Sequence, residues 1–305
     1  MRIGIGLDER NMTLDEVIGW ARATAGAGLT GLWLGEHRAW DPLTTLALAA
    51  REAPGIELGT AVVLTYAQHP LTMASQALTV QAASGNRLLL GVGPSHAPLI
   101  EGQYGYPFER PARHVREYLE VLGPLLRGEQ VAYTGETVRA AGGVTAPGTT
   151  SPPLLLAALG PVMLRIAGEL ADGTVLAWAG PAAVENHVVP LITRAAEAAG
   201  RPAPRVQAMP LVLVTDDVDD AYRRISEEFG VAASMPSYRA ILDQGGADDV
   251  TDVVVVGDEK AVERELRRYA DAGATDVIAM LFGNPEEQHR TLEVMSGLVD
   301  ERAPA

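Results

Sequence analysis

An acid and a histidine stand side by side at Glu36-His37, directly after the apolar run Gly31-Leu32-Trp33-Leu34-Gly35. An imidazole titrates near neutrality, and a neighbouring carboxylate can orient it, so the pair has the types needed to carry a proton to or from a reacting group. Read alone, the pair is equally an ordinary loop start after a strand. A second candidate, His96, follows the apolar segment 87–93 and is either a second proton donor, a substrate-orienting group or a solvent-facing loop residue. The same stretch, Gly93-Pro94-Ser95-His96-Ala97, is a near miss to the Gly-x-Ser-x-Gly nucleophile elbow. Ala97 replaces the second glycine, and Pro98 with the glycines beyond it is read as unable to start the required helix, so a serine hydrolase is set aside.

His69, His114, His187 and His289 carry no such context and read as structural or surface residues. No two histidines share ligand spacing, and the chain has no cysteine, so neither a metal site nor thiolate chemistry is expected. Lys260 is the only lysine, which leaves no other candidate for Schiff-base chemistry. Trp40 and Trp178 could wall a ring pocket or simply pack. Asp216, Asp217, Asp219 and Asp220 read as a helix cap and dipole partners.

Eight apolar segments could position these residues: 2–7, 31–34, 56–64, 87–93, 153–158, 173–178, 205–214 and 276–281. Helical periodicity fills most of the gaps, with Thr13 and Asp41-Pro42 as helix starts and Gly85-Asn86 as a stop. Strands that alternate with helices make a parallel sheet. Eight units without a break favour a closed (β/α)8 TIM barrel, with no Gly-x-Gly-x-x-Gly after the first strand to favour an open dinucleotide fold. Residues 94–111 lack periodicity and read as a lid or pocket wall, residues 130–138 as a hairpin centred on Tyr133-Thr134-Gly135-Glu136, and residues 234–250 as a further insertion. The whole chain, 1–305, reads as one barrel domain with insertions after strands 4 and 7.

In such a barrel the carboxyl ends of the strands share one mouth. It would gather Glu36 and His37, then Thr60, Ala61 and Val62, then His96, then Ala157, Ala158, Leu159 and Gly160, and finally Trp178 and Ala179. Few of these are charged, which suits a planar, partly apolar ligand. The net charge of −15 argues against nucleic acid or an anionic membrane as partner, and no apolar stretch is long enough to span a bilayer. With no signal peptide at the N-terminus, the location reads as cytoplasmic and the partner as a small-molecule substrate.

The segments Gly59-Thr60-Ala61-Val62-Val63 with His69-Pro70, Gly85 to Gly93, Leu156-Ala157-Ala158-Leu159-Gly160-Pro161 and Ala171-Asp172-Gly173 resemble the luciferase-like monooxygenase family. Gly91 to His96 and Tyr104 to Pro111 resemble its branch that uses coenzyme F420, a 5-deazaflavin. The resemblance implies an F420-dependent oxidoreductase that moves a hydride between the deazaflavin and a small organic substrate. It places Glu36-His37 beside the reactive ring carbon, a non-proline cis peptide at Ala61-Val62, and the cofactor phosphate at Gly160 and Pro161. The lysine that clamps sugar phosphates in some members is replaced by Pro181, which implies a substrate of modest charge. Reduction of an activated C=C or C=N bond and oxidation of an alcohol both stay open. An FMN-dependent monooxygenase and a catalytically silent cofactor-binding barrel are the alternatives. The family's habit of pairing through early helices implies a homodimer.

Overall fold

The computed structural model describes residues 2–300. Eight parallel strands run in chain order around a closed barrel: β1 (Arg2–Leu7), β2 (Gly31–Leu34), β3 (Glu57–Thr60), β4 (Leu88–Gly93), β5 (Leu154–Ala157), β6 (Gly173–Ala177), β7 (Arg205–Met209) and β8 (Asp276–Leu281). β8 pairs with β1 through Ile3↔Val277 and Ile5↔Ala279, which closes the ring. The outer layer includes α1 (Leu14–Gly26), α2 (Pro42–Glu52), α3 (Pro70–Ser84), α4 (Pro111–Leu126), α5 (Pro161–Leu170), α6 (Val189–Ala198), α7 (Val218–Phe229), α8 (Pro236–Gly245), α9 (Glu259–Asp271) and α10 (Pro285–Asp300).

The helix boundaries follow local chemistry. Thr13 and Glu16 form a capping box at the start of α1, Asp41 caps α2 ahead of Pro42, and Gly85 ends α3 in the left-handed conformation at φ 64°. Asp217 caps α7, whereas Asp216 pairs instead with Arg290.

The barrel interior is filled by one layer of side chains, Trp33, Leu89, Leu155, Val175 and Ile278, each from a different strand. Their neighbours in sequence, such as Leu88, Leu90, Leu154 and Leu156, point outward into the helix-facing core, as the alternation of a strand requires. Trp33 is 1% exposed, and its indole fits only because three inward positions are glycine. A Cβ on Gly59, Gly4 or Gly31 would lie 1.9, 2.2 or 2.7 Å from an indole atom. At the amino-terminal end an ion cluster closes the barrel: Glu57 holds Arg2 at 2.6 Å and Arg205 at 3.2 Å, and Arg205 also pairs with Asp276.

Several segments differ from the sequence reading. The third strand is not continuous: the cis peptide expected at Ala61-Val62 is present and breaks it, and it resumes at Val63–Leu64. Thr60 bridges the break, donating to the Gly91 carbonyl at 2.7 Å and accepting from the Gly91 N–H at 2.8 Å. The seventh strand breaks at Pro210, which has no N–H to give the ladder, and its second half, Leu211–Val214, pairs with a short extra strand, Val255–Gly257. The hairpin turns at Gly135–Val138 rather than two residues earlier, since Thr134 pairs with Arg139. Residues 94–111 are not structureless: helical turns run through Ala97–Leu99 and Ile100–Tyr104. Pro98 sits in the first turn, where a missing N–H costs nothing, so the proline does not exclude a helix there. The second insertion is mostly the helix α8.

Candidate active site

The mouth has a polar side built by the first three strands. His37 leaves β2 with its ring against Gly35, where a Cβ would meet its Nε2 at 2.6 Å and the Ala61 carbonyl at 3.3 Å. Its acid partner is not Glu36. Adjacent side chains leave the backbone in different directions, and Glu36 turns toward the third strand, accepting from the Leu64 N–H at 2.8 Å and the Tyr104 hydroxyl at 3.1 Å. Burial raises the Glu36 pKa in spite of those two hydrogen bonds. The imidazole is held instead by Glu9, on the turn after β1, with Nδ1 at 3.0 Å from Oε2. A carboxylate can only accept, so Nδ1 carries the hydrogen and Nε2 is left free to exchange a proton. Glu9 is 1% exposed, and its other oxygen, Oε1, is buried without a partner.

Nothing near Glu9 repeats or spaces like a motif in the sequence; only strand order brings it to His37. Asp8, Glu9 and His37 also place ligand atoms within 4.8 Å of one another, a grouping that histidine spacing could not reveal. Arg10 already engages both oxygens of Asp8, at 2.8 Å and 2.9 Å from its Nε. Burial would raise the Asp8 pKa, but the Arg10 hydrogen bonds hold it below the usual value.

Of the other expected residues, the backbone joins Glu36 directly to the third-strand break, with its N–H donating to the Val62 carbonyl at 3.1 Å. Thr60 is fully buried and its hydroxyl is spent on Gly91, so it supports the break rather than facing a ligand. Ala158 and Ala179 are buried, and Ala157 and Trp178 are half-buried at the strand ends. Leu159 gives its carbonyl to the His187 Nε2 at 2.9 Å, an assignment for His187 that no motif signalled. Gly160 and Pro161 open α5 with no side chain capping the terminus, and the space beside Gly160 is empty. Free N–H groups there suit an anion.

His96 stands at the end of β4, two strands on from His37. No hydrogen bond or ring contact joins it to His37; its ring meets Tyr238 edge-on at 4.8 Å, and burial lowers its pKa. Ser95 adopts φ 62° after a strand and before a helical turn, yet no histidine hydrogen-bonds it, so the hydrolase reading fails for want of a base rather than for want of a helix. Trp40 is 42% exposed and donates to the Met12 carbonyl at 2.9 Å. His114 is buried, stacked on Tyr66 at 3.9 Å and bonded to Thr65 at 3.1 Å. A cleft of about 990 Å³ opens between α1, α7 and α10; Asp8 and Phe282 line it, whereas Glu9 and His37 do not.

The sequence profile of the family described as luciferase-like monooxygenase matches residues 1–290. The 5,10-methylenetetrahydromethanopterin reductase of Methanolobus tindarius is 27% identical over 248 residues, covering 78% of this chain and 75% of its own. Two solved structures share the fold. The coenzyme F420 dependent tetrahydromethanopterin reductase of Methanopyrus kandleri superposes with a TM-score of 0.76 at 24% identity, over 97% of this chain and 98% of its own. The oxygenating constituent of 3,6-diketocamphane monooxygenase of Pseudomonas putida, in complex with FMN, gives 0.76 at 19% identity, over 100% and 99%. Among the described residues no helix is long and apolar enough to cross a membrane.

Proposed function

The chain belongs to the luciferase-like monooxygenase family, and from that premise we propose that it is an oxidoreductase that binds coenzyme F420 at the barrel mouth and exchanges a hydride with a small organic substrate. The observation that carries the reading is the Glu9–His37 pair at the mouth, with Nε2 free. A hydride acceptor needs a matching proton within hydrogen-bond reach, and an imidazole fixed by a buried carboxylate provides one. Similarity to 5,10-methylenetetrahydromethanopterin reductases, and to a solved tetrahydromethanopterin reductase that is coenzyme F420 dependent, supports the F420 branch.

The residues present fit such a cofactor. The unpartnered Oε1 of Glu9 suits an N–H on the ring edge, and the uncapped start of α5 at Gly160 and Pro161 suits its phosphate. When bound, the deazaflavin supplies the two-electron hydride chemistry. The chain's own residues would do the rest: Ala61 and Val62 would back the ring, Ala157 to Leu159 with Trp178 and Ala179 would wall it, and His37 would hold or move the proton at Nε2. Glu36 fixes the third-strand loop and Tyr104, and His96 would orient substrate.

Titration of the purified protein with F420 and, separately, FMN tests the cofactor. Saturable F420 binding with weaker FMN binding supports the proposal; tight FMN binding with none for F420 overturns it in favour of the monooxygenase reading. On the same reading the protein is a cytoplasmic homodimer paired around α2, where Trp40 and Leu48 stand 42% and 43% exposed. Sedimentation as a monomer would refute that pairing.

A further inference from the structure

Around the mouth from Glu9 and His37 runs a set of rings. His96 follows β4, Trp178 follows β6 and Phe282 follows β8, while Phe229 ends α7 and Tyr238 comes from α8. They form a connected arc, with centroids 4.8 Å apart for His96–Tyr238, 6.5 Å for Tyr238–Trp178, 5.6 Å for Trp178–Phe229 and 6.0 Å for Phe229–Phe282. α8 is held in place by its own small core, in which Leu242 packs with Ala232, Ala247, Val250 and Val253. Ser237 adds a long contact at 3.5 Å to the Nδ1 of His96.

Three polar groups in this arc have no partner among the described residues: the Tyr238 hydroxyl, the Trp178 indole N–H and the His96 Nε2. All three residues are half-buried. Burial pushes the Tyr238 pKa up and the His96 pKa down, so both rings are neutral at pH 7. The cation that reaches the arc, Arg224, lies over the Phe282 ring at 5.7 Å and is committed to Glu287 at 2.8 Å. An anionic substrate would therefore find no free counter-charge here, and a sugar would find too few polar groups. Apolar faces carrying a few hydrogen-bond donors suit a flat ligand with a carbonyl acceptor.

We propose that this arc is the substrate wall, that Tyr238 is its specificity-determining residue, and that it takes a planar, uncharged compound whose carbonyl is conjugated to a C=C bond. The assignment rests on the F420 reading above and deepens it. Reduction of such a compound breaks the C=C π bond, adds a hydride at the β carbon and a proton at the α carbon, and draws the two electrons from reduced F420. The Tyr238 hydroxyl, donating to the carbonyl oxygen, stabilises the charge that gathers there.

The test uses benzalacetone as probe and cinnamate as its anionic counterpart, titrated by calorimetry into protein already shown to be saturated with F420. Benzalacetone should bind at least about tenfold more tightly than cinnamate. Tyr238→Phe should weaken benzalacetone about five- to tenfold, the scale of one lost hydrogen bond, and Tyr238→Ala should weaken it further. F420 affinity should change less than about twofold in both variants, which also reports that they fold. Equal or tighter cinnamate binding, unchanged benzalacetone binding in both variants, or no benzalacetone binding to F420-loaded protein overturns the substrate assignment alone. Failure to bind F420 at all overturns the cofactor reading, and the substrate assignment with it.

Discussion

Glu9 and Glu36 are both half or more hidden carboxylates within one residue or one strand of His37, yet they do different work. Glu9 spends one oxygen on the imidazole, whereas Glu36 spends both on Leu64 and Tyr104. Catalytic loss should follow that division. His37→Ala should lower kcat by about a hundredfold to ten-thousandfold, the usual scale for removing a positioned acid or base. Glu9→Gln should cost about tenfold or more, because an amide can no longer fix the ring as a charged acceptor does, and Glu36→Gln less. Steady-state kinetics on the three variants, with F420 binding measured alongside, checks the order. Unchanged turnover in His37→Ala would remove the proton carrier and favour a silent barrel, and a larger loss from Glu36→Gln than from Glu9→Gln would return the orienting role to Glu36.

At the scale of elements, the polar half of the mouth depends on how α4 meets the loop after the third strand. His114 makes that joint, buried on α4, stacked on Tyr66 and bonded to Thr65, with Glu117 one turn away. Burial pushes its pKa down to about 4, although the Thr65 bond and the Glu117 charge pull the other way. A histidine whose folded pKa is depressed binds fewer protons folded than unfolded between pH 6.5 and about 4. Its contribution to stability is therefore complete above pH 6.5 and is lost as pH falls toward 4, on the order of 2 to 3 kcal/mol over that window. Urea unfolding of the wild type and of His114→Gln from pH 7 to pH 4.5 should show the wild type losing stability more steeply. Parallel curves would mean that His114 does not carry the effect.

At the scale of the whole molecule, the barrel is a container whose lower half is full. Trp33 fills it because β1, β2 and β3 each present a glycine to the indole. Gly59→Ala would place a methyl where the Trp33 ring now lies, and overpacking of a closed core costs about 2 to 3 kcal/mol. The variant should show a lower urea midpoint and an altered near-ultraviolet circular dichroism signal from Trp33, with partial recovery when Trp33→Leu is added. A Gly59→Ala protein as stable as the parent would mean that the interior has room the geometry denies.

The amino-acid sequence by itself determined the fold class, the eight strand positions, the helix caps at Thr13, Asp41 and Gly85, and the placing of Glu36, His37, Ala61, Val62 and His96 at strand ends. These are local signals: apolar alternation, capping chemistry and turn residues act over a few neighbours, so they are legible in a linear string. What only the tertiary structure decided is which of those residues meet. The choice of Glu9 over Glu36 as partner to His37, the retirement of Thr60 into the broken ladder, and the arc that joins His96 to Tyr238 all join residues from different strands and loops. Barrel closure sets such contacts through the register between strands, and register leaves no mark on the spacing of residues along the chain.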